Sequence, residues 1–176
     1  FSPAEPKLVS ASADQTLKVW SLKNGQRLDT LGQPLKEQFT GRFSPDGKSL
    51  IGGGGDNRLR RWRVASGFDA KINAMLYSRY AHEGPIVAAE FSADGRWIIS
   101  AAEDRSVKLW YREGLTEAHL FPTQSDVVTG VAFSPESDRF ALGRLDGSWK
   151  IMQLPEVDRT HSSPDANVKA QAIAKG

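Results

Sequence analysis

The 176-residue sequence contains no cysteine. That excludes disulfides, thiol catalysis and cysteine-ligated zinc, and it leaves the compartment undecided between a cytoplasmic and an extracytoplasmic location. Histidine is scarce: His82, His119 and His161 are scattered without metal-ligand spacing, so neither a metal nor a cofactor is expected. No apolar run approaches the ~20 residues that a membrane-spanning helix needs. Neither sign of charge dominates. The 23 basic and 21 acidic residues give a net charge of +2, which argues against a dedicated nucleic-acid or membrane-surface binder, although local patches stay possible. No signal peptide is visible, and Phe1 rather than Met opens the chain, which points to a piece of a longer protein. The length suits one domain with a core of its own.

What is there is repetition. FSPAEPKLVSASADQTLKVW runs from Phe1 to Trp20, FSPDGKSLIGGGGDNRLRRW from Phe43 to Trp62, FSADGRWIISAAEDRSVKLW from Phe91 to Trp110, and FSPESDRFALGRLDGSWKIM from Phe133 to Met152. In each copy an aspartate (Asp14, Asp56, Asp104, Asp146) lies 13 residues after the Phe and 6 before the last position, which is Trp three times and Met once. Four ungapped copies are very unlikely by chance, and a fixed period is the signature of a repeat architecture. Within a copy, Ser44-Pro45-Asp46-Gly47 and Ser92-Ala93-Asp94-Gly95 predict tight turns. Trp97-Ile98-Ile99 and Val107-Lys108-Leu109-Trp110 predict strands on either side of a second turn at the shared aspartate. Ile86 to Phe91 and Val127 to Phe133 predict a further strand before the Phe. Asn24 to Leu31 predicts an Asn-Gly turn and an outer strand.

This pattern resembles the WD-repeat family. The likeness covers residues 1 to 154 and implies an all-β partial β-propeller of about four blades of four-stranded antiparallel sheets, over residues 1–33, 34–75, 76–121 and 122–154. The first blade is expected to be clipped and the last to lack its outer strand. Departures are visible: Ser21, Arg63 or Tyr111 follows the tryptophan instead of Asp, and the usual opening Gly-His is Ala81-His82. Residues 155–176 are polar and read as a linker or tail, with a short helix expected over 167–175.

Two motifs invite a chemical reading. Gly52 to Gly55, followed by Arg58, Arg60, Arg61 and Arg63, could cradle an anion. But a phosphate loop needs Gly-Lys-Ser/Thr and then a helix, and here a strand follows an acid, so close packing is the favoured reading. Relative to alanine, such glycines should cost roughly 0.5–1 kcal/mol each. Arg58 is expected to be exposed and Arg60 to take an ordinary polar position. Arg61, aligned with Val19, Leu109 and Ile151, needs a carboxylate, a carbonyl cluster or a route to water. A solvated, salt-bridged face is favoured over an anion or nucleic-acid patch.

The other motif is His82, Ser100 and Asp104, the residue types of a hydrolase triad. The family resemblance implies instead that, with Trp110, they form a structural hydrogen-bonded chain. The expected arrangement has the imidazole bridging hydroxyl and indole while the hydroxyl meets the carboxylate. No nucleophile elbow accompanies Ser100, and the chain is read as non-enzymatic. The first copy keeps Ser10, Asp14 and Trp20. The second keeps Asp56 and Trp62, with Gly52 and Pro34 in place of Ser and His. The fourth keeps Asp146, with Gln124, Leu142 and Met152 at the remaining positions. The third blade is therefore expected to be the most rigid and the fourth the least specified.

The resemblance also implies a rim that holds ligands. By position, its candidates are Gln15, Arg58, Arg105 and Arg144, with Tyr80, Glu83 and Gln124 from the longer loops. Residues 68–81 could form a lip over it or a longer outer strand. The leading expectation is a protein-binding scaffold whose other contacts are the remaining blades of its own ring, one upstream strand completing the last blade. The alternatives are an accessory propeller of a multidomain enzyme or sensor, with a likeness to bacterial examples, and nucleic-acid binding through the arginines.

Overall fold

The computed structural model describes residues 1–32, 34–65 and 74–156. Over these residues the chain forms fourteen strands and no helix, so none is present to cross a membrane. The strands group into four antiparallel sheets in chain order. The first holds β1 (Lys7–Ala11), β2 (Leu17–Ser21) and β3 (Arg27–Leu31). The second holds β4 (Gln38–Phe43), β5 (Ser49–Gly54), β6 (Arg58–Arg63) and β7 (Met75–Tyr80). The third holds β8 (Ile86–Phe91), β9 (Trp97–Ala102), β10 (Val107–Tyr111) and β11 (Thr116–Leu120). The fourth holds β12 (Val128–Phe133), β13 (Arg139–Arg144) and β14 (Trp149–Gln153). Each sheet is an up-and-down meander, and its first strand, where it has four, is the inner one.

Burial follows from stacking. β5 and β9 are buried at every position, because both faces of the second and third sheets are covered by neighbours. In the fourth sheet β13 alternates exposed and buried positions up to its last two residues, because only one face is covered. Three apolar clusters fill the three sheet–sheet interfaces. Leu17 and Val19 meet Phe43, Leu50 and Trp62; Ile51 and Leu59 meet Ile86, Ile98 and Trp110; Ile99 and Leu109 meet Val128, Phe140 and Leu142.

Two irregularities recur in register. The pairing slips just before each tryptophan, between Val19 and Trp20, Arg61 and Trp62, and Leu109 and Trp110. It slips again near the start of each inner strand, between Gln38 and Thr40, Ile86 and Ala88, and Val128 and Gly130. Such bulges sharpen the twist that lets flat meanders pack as blades.

Of residues 68–81, those from 75 to 80 form β7, hydrogen-bonded along β6. That stretch is an outer strand and not a lip; residues 68–73 fall outside the described residues. So does the expected helix over 167–175.

Candidate functional site

In the third sheet the four expected residues do meet, in a different order and with a fifth between them. Trp110 Nε1–H donates to Ser100 Oγ at 2.8 Å. Ser100 Oγ lies 2.6 Å from His82 Nε2. His82 Nδ1 lies 2.5 Å from Ser106 Oγ, and the Ser106 hydroxyl donates to Asp104 Oδ1 at 2.5 Å. The imidazole therefore bridges two hydroxyls, and the indole never reaches it. His82 Nδ1 is 3.9 Å from Asp104 Oδ1, because Ser106 stands between.

The donors and acceptors assign every proton in this chain. Ser100 accepts from the indole, so its own hydrogen goes to Nε2. Ser106 gives its hydrogen to the carboxylate, so it accepts from Nδ1–H. The imidazole is thus neutral and protonated on Nδ1. Burial pushes the His82 pKa from 6.5 down to about 4, against the opposing pull of Asp104. On Asp104, burial works upward but is outweighed by the hydroxyl and N–H of Ser106 and the N–H of Glu83, and the net shift is downward.

Ser100 has no exposed surface and His82 is 2% exposed. No substrate atom can approach this serine, and its hydroxyl is already committed. The arrangement ties the loop at His82 to the turn at Asp104, whose second oxygen accepts from the N–H groups of Glu83 and Gly84 at 2.8 and 3.3 Å.

The second sheet reaches the same end without Ser or His. The N–H of Leu35 donates to Asp56 Oδ2 at 3.1 Å, matching Glu83 on Asp104. Arg60 then grips both carboxylate oxygens, at 3.0 and 2.6 Å. Arg60 is 3% exposed, so its position is not an ordinary polar one: it is a buried bidentate pair of the stronger kind.

The glycine run is explained by what surrounds it. A Cβ on Gly52 would lie 2.3 Å from Leu17 Cδ1, one on Gly53 2.8 Å from Ile86 Cγ2, and one on Gly54 1.9 Å from the carbonyl oxygen of Glu37. The neighbouring sheets and the preceding loop occupy the space that side chains would need. The expected cost relative to alanine is therefore reversed here, since alanine would collide. No backbone cradle faces an anion.

The arginines form no patch either. Arg61, 5% exposed, reaches the third sheet, where Nη1 donates to the Arg112 carbonyl at 2.6 Å and the two Nη groups meet Glu113 at 3.3 and 3.4 Å. Both kinds of partner that it needed are present. Arg112 answers in the other direction, donating to Asp46 at 2.8 Å and to Ser49 at 3.3 Å. Arg58 is half-buried rather than exposed, 3.4 Å from Ser78 Oγ, and Arg63 is exposed on the opposite side of β6 from Arg58 and Arg60.

In the first sheet Trp20 Nε1–H donates to Ser10 at 2.9 Å, and Asp14 holds Thr16 and Lys18. In the fourth, Arg144 donates to Gln124 Oε1 at 2.7 Å and to Ser148 Oγ at 3.0 Å, and Ser148 donates to Asp146 at 2.6 Å. Arg144 and Gln124, both rim candidates by position, are thus engaged in a substitute network, and Gln124 is buried.

The loops before the inner strands and the turns at the shared aspartates lie on one rim. Gln38 N–H donates to Ser12 O, Ala81 N–H to Asn57 O and Gln124 N–H to Arg105 O, each linking one sheet's turn to the next sheet's loop. The residue after each shared aspartate is left-handed: Gln15, Asn57, Arg105 and Gly147, with φ of 70°, 63°, 66° and 83°. Only the last is glycine, so three copies hold a strained backbone that projects a side chain from the rim. Gln15, Arg105 and Glu83 are exposed, and Tyr80, 55% exposed, donates to Glu83 at 3.1 Å.

Sequence reasoning missed two features. Thr16, Ser106 and Ser148 all bond the aspartate two residues earlier; the recurring Asp-x-Ser/Thr spacing was the available signal. Leu35 and Phe39, 74% and 47% exposed, align with Glu83 and Val87 of the third copy, so the alignment did not mark them as exposed apolar residues. Among the described residues no group of side chains is placed to hold a metal ion.

A family model described as "WD domain, G-beta repeat" matches residues 1–21, 73–111 and 115–151. That is more than half of the chain, and the chain belongs to this family. It is 29% identical to the angio-associated migratory cell protein of Homo sapiens over 92% of its own length and 40% of the relative's. It is 27% identical to eukaryotic translation initiation factor 3 subunit I of Candida glabrata, over 94% of its length and 51% of the relative's. Protein tipD of Dictyostelium discoideum matches at 26% over 58% of this chain and 16% of its own length. The chain thus spans about half or less of these relatives. They are eukaryotic and lend no support to a bacterial likeness.

Proposed function

We propose that this WD-repeat segment is a non-catalytic scaffold that presents the rim of shared-aspartate turns to a protein partner. The observation that carries this reading is the division of labour on that rim. His82, Ser100 and Arg60 are buried and hydrogen-bonded, while Gln15, Tyr80, Glu83, Arg105 and the apolar Leu35 face outward. Exposed aromatic and aliphatic anchors beside polar groups are the composition of a protein-binding surface. The relative named as a subunit of a translation initiation factor supports a place in an assembly.

The outer face of the fourth sheet fits the remaining blades of the same ring. Trp149 and Ile151 are 72% and 53% exposed, at positions aligned with the buried Val107 and Leu109 of the third sheet. Among the described residues β14 pairs on one side only, which suits a closing strand from upstream. The experiment is site-specific photocrosslinking in the full-length protein. A photoreactive residue at Leu35 or Gln15 should yield protein adducts, and one at Glu117 on the outer strand should not. Equal yields at both places would remove the rim from consideration.

A further inference from the structure

At the opposite rim, the four Phe-Ser-Pro or Phe-Ser-Ala corners converge on one cavity of about 480 Å³. Phe1, Phe43, Phe91 and Phe133 line it with the third residue of each corner, and Arg42 and Glu90 stand among them. The rings are presented differently. Phe43 and Phe91 are buried and Phe133 is half-buried, so the cavity has an aromatic floor.

Glu90 is the anomaly in this apolar setting. It is half-buried on β8, and among the described residues no hydrogen bond or ion pair within 4.0 Å is found for its carboxylate. Burial raises its pKa, with Arg42 opposing from a distance. Arg42 itself is exposed, and its guanidinium turns back to the Gly41 carbonyl at 3.3 Å. A half-desolvated carboxylate without a partner is unfavourable, and a cation brought against it relieves that cost. Phenylalanine rings line the same cavity, and an aromatic lining favours a flat, weakly hydrated cation, which is a guanidinium rather than an ammonium. The molecule already shows such a contact: the Arg112 guanidinium lies 5.9 Å from the centroid of the Phe91 ring.

We infer that this cavity receives an arginine side chain of a partner protein, its guanidinium on Glu90 and against the Phe133 ring. The inference extends the scaffold reading to a second, opposite surface. The test is a titration of the full-length protein with N-acetyl-arginine amide, followed by NMR, against the neutral isostere N-acetyl-citrulline amide. The arginine probe should saturate with a Kd of about 1 mM, as expected for a single side chain, and citrulline should bind at least about tenfold more weakly. Glu90→Gln should lower arginine affinity by about tenfold. Arg42→Ala, which removes a competing cation, should raise it by about threefold. No saturable binding, equal binding of the two probes, or an unchanged affinity in either variant would overturn the assignment. Melting curves of both variants verify that the fold is intact. Because the two experiments address opposite rims, failure here leaves the photocrosslinking result at the other rim standing, and the reverse also holds.

Discussion

In the third sheet the turn at Asp104 is held by a relay of neutral hydrogen bonds running from Trp110 to Ser106. In the second sheet the turn at Asp56 is held by one buried arginine. Both aspartates receive the N–H of the preceding loop, from Glu83 and from Leu35. The difference lies in what fills the space between the turn and the tryptophan. In the third sheet a serine and a histidine fill it. In the second, Gly52 leaves room that Leu17 of the first sheet enters. The same blade geometry is thus reached by polar bonding within a sheet or by close apolar approach between sheets, and the two solutions should fail differently.

The sharpest way to break the comparison is a single methyl group. Gly54→Ala drives a Cβ to within 1.9 Å of the Glu37 carbonyl oxygen. It should destabilise the protein by about 3 kcal/mol in urea unfolding. The aligned Ala102→Gly in the third sheet should cost only about 1 kcal/mol. Next comes Ser100→Ala, which leaves the Trp110 N–H and the His82 ring nitrogen unsatisfied in a buried site. A loss of about 2–3 kcal/mol is expected.

Acid should single out the third sheet. His82 is neutral in the native state with its pKa lowered to about 4, against 6.5 when unfolded. Above pH 6.5 the histidine is neutral in both states and its contribution is complete. Between pH 6.5 and 4 the unfolded chain binds a proton that the folded chain refuses, so stability falls as pH falls. From pH 7 to 4.5 the loss should be about 2 kcal/mol. Asp56 and Asp104, whose pKa values are lowered, contribute stability that is lost only at more acid pH. A His82→Gln variant should flatten the profile between pH 6.5 and 4; an unchanged slope there would sink the neutral-imidazole assignment. Hydrogen exchange in acid should show β8 to β11 opening before β4 to β7.

Smaller effects sharpen the outer pair of sheets. Ser10→Ala removes one part-buried hydrogen bond to Trp20 and should cost about 1 kcal/mol in thermal unfolding. Arg144→Ala, in the half-exposed network of the fourth sheet, should cost about 0.5 kcal/mol.

The repeat was legible because each sheet solves the same packing problem with the same residue at the same place. The Phe, the aspartate and the tryptophan therefore recur in register. The substitutes were not legible. Arg60 aligns with lysines, and nothing in the alignment says that it is buried. Arg144 and Gln124 lie 20 residues apart and look like rim residues until the loop folds back over the turn. Ser106 was not legible because the family likeness implies only four residues, and its bond to Asp104 lies outside that set. The sequence favours packing for the glycine run, but its energetic sign depends on how near Leu17, Ile86 and Glu37 come.

By itself the sequence determined the all-β class, the four-sheet count and the recurrence of a turn at each shared aspartate, since these rest on local periodicity. Only the tertiary structure decided which charges are buried and paired, why an alanine at Gly54 collides, and that four Phe corners line one cavity with Glu90. Those outcomes depend on distances between sheets, and no spacing along one chain encodes such a distance directly.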